Sequence, residues 1–221
     1  MYDFDLSQLK RLLLASEKRL IAKGHVIRFE SNKFYLNYMS GGFIKRYLIT
    51  DDGGQSIQVI YGKGDVFPLT PLFNDLLSLQ IYKGEETLYY EAMTDVEVHS
   101  LDKQKLLEVV AASPELFKDL FYISGTRLSS NIQRLENVSL RSSERKIIDL
   151  LIYYSNRFST VSANEIRLTV PLTHQTIANV LSLTRETVTH TMVRLQDRSL
   201  IEQRTKGIII ILDVEELYKF R

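Results

Sequence analysis

The stretch Leu183–Leu195, LTRETVTHTMVRL, decides how the rest of the chain is read. Val188, Met192 and Leu195 recur at i, i+4 and i+7 and share one face of a helix, leaving Arg185, Glu186, Thr189 and His190 on another. Thr184 stands where an N-cap hydroxyl would accept an unsatisfied amide of the first turn. Thr173 does the same for the preceding segment HQTIANVLSL, so two helices meet at a turn near Ser182, with Ala178 small enough for close approach. Downstream, Leu200-Ile201 leads through Arg204-Thr205-Lys206-Gly207 into Ile208–Leu212, a β-hairpin with a basic tip. Upstream, Ser142 or Ser143 caps a helix whose stripe is Ile147, Ile148, Leu151 and Tyr154. Helix, helix–turn–helix and basic hairpin follow the order of a winged helix–turn–helix. Side chains that read a major groove include Arg for guanine and Glu for cytosine, and Arg185 and Glu186 occupy the opening turn. The competing reading is an ordinary solvated helix face.

Composition narrows the classes of function. The chain has 221 residues, 44% hydrophobic and 25% charged, as expected of one or two globular domains. It has no cysteine, which removes disulfides, thiolate nucleophiles, cysteine-held zinc and iron–sulfur clusters. The N-terminus MYDFDLSQLK is not a basic region followed by an apolar run, and no stretch approaches the roughly 20 apolar residues of a membrane span, so a cytoplasmic protein without membrane contact is expected. Residues 141–221 carry 12 Lys and Arg against 9 Asp and Glu, a local balance of +3 within an overall +1. The C-terminal part is therefore the better partner for a polyanion.

Residues 5–20 place leucines at helical spacing. From His25 to about Leu101 short β-branched and aromatic runs (HVIRF, KFYLNYM, IKRYLIT, SIQVIYG, TLYYEAM, VEVHSL) alternate with Gly- and Asp-rich turns, which predicts a β-barrel or sandwich. Asp51-Asp52-Gly53-Gly54 is a hairpin signal, and Gly62-Lys63-Gly64 reads as a strand turn rather than a phosphate-cradling loop. KQKLLEVVAA predicts a short helix, and Pro114 opens a longer one. Along it Phe117, Phe121, Ser124, Leu128, Asn131, Leu135 and Val138 recur at heptad spacing, while Leu116, Leu120 and Ile123 form a second stripe. A helix with two apolar faces has two partners: its own barrel, and a second copy of the chain reached through the heptad seam, with Asn131 setting register or contacting a ligand. Packing within one chain is the alternative.

These features together resemble the CRP/FNR superfamily of bacterial transcription factors, the cAMP receptor protein and fumarate–nitrate reductase regulators. The resemblance spans nearly the whole chain: Lys23–Ile27, Tyr38–Gly41 with Phe43–Lys45, Asp52-Gly53, Gly62–Phe67, the long helix, and Leu183–Val188 (LTRETV), which matches the family's recognition-helix opening. It implies an α+β fold: a cyclic-nucleotide-binding-like β-barrel (jelly roll) over residues 1–113, a dimerisation helix over 114–139, and a winged helix–turn–helix over 140–221. It implies a homodimer on a palindromic operator, with double-stranded DNA and RNA polymerase as partners. By position, Arg185, Glu186, Thr189 and His190 would read bases, while Thr173, His174, Gln175, Thr184 and Lys206 would touch phosphates. Phe117, Phe121, Leu128, Asn131, Leu135 and Val138 would form the dimer contact.

The departures concern the effector, the turn and one base contact. Relatives that bind cyclic nucleotides follow Gly-Asp-x-Phe with Gly-Glu and then Arg-Ser. Here Gly64–Phe67 is followed by Pro68-Leu69-Thr70-Pro71 and by LFNDLLSLQIYKGEETLYYEAM, which contains no Arg. A cyclic phosphate would lack its charge-assisted guanidinium partner, which speaks against cAMP. Haem would need an axial ligand such as His25 or His99; Tyr82, Tyr89 and Tyr90 either line a pocket for another small effector or pack the barrel. Ser182 replaces a common turn glycine, and His190 a common arginine. A cupin-like barrel enzyme would gather several His and a Glu on neighbouring strands, yet only His25 and His99 lie in the barrel, without a His-x-His pair. A protein-binding winged-helix module would not need Arg185 and Glu186. The reading is a DNA-binding regulator and not an enzyme.

Overall fold

The computed structural model of the protein describes residues 7–27, 35–69, 88–140, 142–162, 165–204 and 207–220, the side chains of 7 and of 130–140 excepted. Its contacts divide the chain into two compact units, Met1–Leu48 with Val59–Ile132, and Ile49–Gln58 with Gln133–Arg221.

The N-terminal half of the chain opens with α1 (Ser7–Leu14), followed by β1 (Glu17–Ile21), β2 (Val26–Ile27), β3 (Tyr35–Gly41), β4 (Ile44–Ile49), β5 (Gln55–Tyr61), β6 (Val66–Phe67), β7 (Tyr89–Ala92) and β8 (Val96–Asp102). The strands form two four-stranded sheets, ordered β1-β8-β3-β6 and β2-β7-β4-β5. Among the described residues these stay separate sheets, so the expected barrel is a jelly roll that does not close. The leucine spacing over 5–20 is only half helix. Ser16 ends α1 by donating through its amide and its hydroxyl to the Leu13 carbonyl, and Glu17–Ile21 pairs antiparallel with Val96–Ser100. The correction has a physical cause: β8 presents an open ladder edge, and backbone pairing there overrides the leucine period.

Alternation along β3 sorts its side chains between two cores. Met39 faces inward with Ile44, Tyr61, Phe67, Tyr90, Ala92, Val96 and Val98, which join both sheets. Leu36 and Tyr38 face outward with Leu101 and meet Leu9 and Leu13 of α1, Leu106 and Val110 of α2 (Lys103–Ala112), and Leu116, Leu120 and Ile123 of α3 (Pro114–Leu140). Burying each such leucine contributes about 1.5–3 kcal/mol. The predicted second stripe of the long helix thus packs on the sheet, and Asp102 caps α2 by accepting from Gln104 and Lys105 amides. α3 also closes the far end of α1: buried Asp119 accepts the Leu9 amide at 3.1 Å, satisfying a first-turn donor 110 residues away. The inward side of β3 and β8 holds one buried polar pair, Ser100 donating to Asn37 Oδ1 at 2.7 Å.

The turns follow the sequence reading. Asp52 accepts from the Thr50 hydroxyl and the Gly54 amide, and Gly53 takes φ +79°. At the Gly62–Asp65 turn, the Asp65 carboxylate accepts the Gly62 amide at 2.8 Å and Gly64 takes φ +93°, backbone geometry of a strand connection.

The second unit contains α4 (Ser143–Arg157), β9 (Ser159–Ser162), β10 (Glu165–Leu168), α5 (His174–Leu181), α6 (Arg185–Asp197), β11 (Ile201–Arg204), β12 (Ile208–Ile211) and α7 (Val214–Lys219). The wing is larger than the single hairpin expected: its strands run β11-β12-β10-β9 in one sheet. The extra hairpin β9–β10 pairs Ser159 with Leu168 and Ser162 with Glu165. Ile147, Ile148, Leu151 and Tyr154 of α4 are all buried, as their spacing predicts, and Ser142 caps that helix through the Arg145 amide.

Candidate nucleic-acid interface

α5 and α6 begin alike. Thr173 accepts the Thr176 amide at 3.0 Å and shares a 2.8 Å hydrogen bond with its hydroxyl; Thr184 accepts the Thr187 amide at 3.2 Å and shares one of 2.9 Å. Both caps belong to a Thr-x-x-Thr repeat, THQT and TRET, in which the second threonine supports the first. The turn between the helices needs a left-handed residue, and Ser182 supplies it at φ 54°, ψ 47°, its amide donating to the Ala178 carbonyl. This is the strain its side chain implied in place of glycine.

Packing aims α6. Val188, Met192 and Leu195 are fully buried, joined by Thr191, and Ile177, Ala178, Val180 and Leu181 bury the facing side of α5. Two cations hold the back of α6 to α4: Arg194 and Arg198 lie 3.5 and 3.8 Å from the Glu144 carboxylate. With that side fixed, Arg185, Glu186 and His190 are exposed and Thr189 is partly buried. At roughly 100° per residue these four span an arc of about 140° opposite the buried face. The arrangement offers a guanidinium, a carboxylate and an imidazole to a polar partner lying along the first turns of the helix.

The expected phosphate contacts divide. Thr173, Gln175 and Thr184 are exposed at the two helix openings, with Gln175 bonded to Asn179 at 2.8 Å. His174 is partly buried and bonded to Thr189 at 2.9 Å and to Gln203 at 3.1 Å. Sequence spacing held no sign of that triad, because its members lie 15 and 29 positions apart. Lys206 falls outside the described residues, as does Tyr82. Of the basic tip, Arg204 donates to Glu202 at 2.7 Å, and this holds the Glu202 carboxyl below its ordinary range. Behind the tip, the Gly207 carbonyl accepts the Leu172 amide at 3.1 Å, tying the wing to the entry of α5.

Along α3, Phe117, Phe121 and Leu128 are 41%, 68% and 61% exposed, so among the described residues these three seam positions stay uncovered. The side chains of Asn131, Leu135 and Val138 fall outside the described residues. Among the described residues no helix is long and apolar enough to cross a membrane, and no three His, Cys, Asp or Glu gather as metal ligands would.

Comparison with known proteins finds relatives for this geometry. Residues 145–220 match the Crp-like helix-turn-helix domain. The chain is 24% identical over 191 residues to a CRP-like cAMP-activated global transcriptional regulator of Mycobacterium tuberculosis, covering 85% of this chain and 81% of that one. It is 28% identical over 212 residues to a probable transcriptional activator of Rhizobium leguminosarum bv. viciae, covering 95% and 83%. Its fold is that of FixK2 from Bradyrhizobium japonicum, with a TM-score of 0.76 at 17% identity over 93% of this chain and 96% of that one. Residues 145–220 thus carry the Crp-like helix-turn-helix domain, and a chain with a jelly roll, a long helix and a helix pair that exposes Arg185 and Glu186 is similar over most of its length to transcription regulators of the CRP/FNR kind.

Proposed function

We propose that the protein binds DNA sequence-specifically as a homodimer on a two-fold symmetric site. The observation that carries this reading is the first turn of α6, where Arg185 and Glu186 are exposed while Val188, Met192 and Leu195 are wholly buried. Arg185 presents a forked donor to guanine, Glu186 an acceptor to the cytosine amino group, and His190 a shorter group further along the groove. Thr173, Gln175, Thr184 and Lys206 lie along the phosphates, giving affinity that falls with salt. A second copy covers Phe117, Phe121 and Leu128, since a stripe this apolar gains about 25 cal/mol for each Å² removed from water. Two α3 helices side by side set two α6 helices against half-sites roughly 34 Å apart.

The jelly roll passes its state along α3 to the reading helices, and it does so without cAMP. Supporting this, residues 68–93 contain no Arg to meet a cyclic phosphate, and Tyr61, Phe67 and Tyr90 pack together in the interior at centroid distances of 5.0–6.2 Å. Iron–sulfur sensing is ruled out by the lack of cysteine. If the barrel takes an effector at all, it is of another kind, haem included, and RNA polymerase is the partner through which bound protein alters transcription.

The test is selection of bound duplexes from a random library, with and without cell extract. Enrichment of a two-fold symmetric sequence supports the reading, and a requirement for extract points to an effector. Retention of all duplexes alike contradicts it.

A further inference from the structure

His174 opens α5, and its ring lies between α6 and the wing. Nδ1 is 2.9 Å from Thr189 Oγ1, and Nε2 is 2.9 Å from the Gln203 amide nitrogen and 3.1 Å from its oxygen. Thr189 has one hydroxyl proton, and its Oγ1 already donates it to the Arg185 carbonyl at 2.8 Å. The hydroxyl can therefore only accept from His174, which places the imidazole proton on Nδ1. With the proton on Nδ1, Nε2 accepts from the Gln203 Nε2–H, the shorter of its two Gln203 contacts. Each group in the chain Gln203, His174, Thr189, Arg185 thus has one assigned role, and the chain ends on the backbone of the residue that opens α6.

We infer that His174 is a positioning residue for DNA recognition and not a phosphate contact: it fixes α6 against β11, so that reading helix and wing meet the duplex as one rigid surface. This rests on the DNA-binding reading above and deepens it. α5 and α6 bury apolar side chains such as Ala178 and Val188, and apolar packing sets distance but resists sliding weakly, whereas two directional hydrogen bonds fix rotation. The same geometry removes Thr189 as a hydrogen-bond donor to base edges. Donor and acceptor readout along the arc falls to Arg185, Glu186 and His190, and Thr189 serves as a spacer that holds Arg185 in place.

Two measurements test this on the full chain. The first needs no DNA: long-range 1H–15N spectra of the wild-type protein should give His174 as the neutral tautomer protonated on Nδ1, and a ring protonated on Nε2 alone would overturn the relay. The second is a double-mutant cycle of His174→Ala and Thr189→Val on a duplex selected by the wild type. Each substitution should weaken binding about three- to tenfold, the scale of a lost hydrogen bond. The pair should be no more than about twofold worse than either alone, with the slope of log K against log salt unchanged. His174→Asn, which keeps a donor at the Nδ1 position, should recover most of the loss and shows that the fold survives. Multiplying effects, with a salt slope lowered by about one, would make His174 a phosphate contact and overturn the inference. A wild type that selects no duplex would fail the DNA-binding reading itself, and the positioning role with it.

Discussion

The Arg127 guanidinium of α3 donates to the Val66 carbonyl at 2.5 Å, at the turn where β6 begins. The same group stands 3.8 Å from the Asp65 carboxylate and 4.8 Å above the Tyr61 ring. One residue therefore binds the long helix to the turn Gly62–Asp65 and to the aromatic interior. Arg127→Ala should destabilise the protein by about 2 kcal/mol, from one charge-assisted hydrogen bond and one cation–π contact. Arg127→Lys, which cannot both reach the carbonyl and cover the ring, should recover less than half. Urea unfolding measures both; a change below about 0.5 kcal/mol for the alanine would show that the clamp carries no weight.

The exposed seam makes a prediction about mass. Phe121→Glu combined with Leu128→Glu places carboxylates on the apolar stripe while leaving Leu116, Leu120 and Ile123 on the sheet. The doubly substituted protein should remain folded and elute as a monomer, with its mass read by light scattering. A dimer mass would place the contact between copies elsewhere.

Two left-handed positions, Ser182 in the helix–turn–helix and Gly207 in the wing, should respond oppositely to substitution. Ser182→Gly relieves a non-glycine residue at φ 54° and should raise stability by up to about 1 kcal/mol. Gly207 sits at φ +75°, and a Cβ there would come within 3.1–3.2 Å of the Leu172 carbonyl and the Thr173 amide. Gly207→Ala should therefore destabilise by about 1–2 kcal/mol. Thermal unfolding of both variants checks the pair of signs.

Acid should loosen the first sheet through Glu97. Its carboxylate accepts from Lys18 at 2.7 Å and from the Ser40 hydroxyl at 2.9 Å, joining β1, β8 and β3. The Lys18 hydrogen bond, then the Ser40 one, lowers its pKa below the ordinary glutamate value. A carboxyl with a folded pKa below its unfolded one contributes stability that is present above the unfolded value and is lost as the pH falls through the folded value. Glu97→Gln should accordingly lower stability at neutral pH, where the ionised carboxylate contributes, and flatten the fall below about pH 4.5, the ordinary glutamate value. A wild type and variant with parallel acid limbs would contradict this.

How far these features could be read from sequence depends on the range of the interaction behind them. Capping and periodicity are local, so Thr173, Thr184, Ser142 and Pro114 mark helix starts that the structure keeps, and the Val188–Met192–Leu195 face is the buried one. The helix reading failed at Lys18–Leu20, where the leucine period continued but pairing with β8 decided the conformation. The β9–β10 hairpin escaped notice because its strands are four residues each and largely exposed, too short for alternation to register. The His174–Thr189–Gln203 relay, like the reach of Arg127 to Val66, depends on residues brought together only by the tertiary fold.

The central claim is that the opening turn of α6 reads bases, and the most direct measurement is the selectivity of Arg185→Ala. Binding of wild type and variant is compared on a selected duplex and on a scrambled one at fixed salt. Loss of one bidentate base contact should lower the ratio of the two affinities by about 1–3 kcal/mol, roughly 5- to 150-fold, with little change on the scrambled duplex. An unchanged ratio would contradict the account and return Arg185 to a solvated helix face.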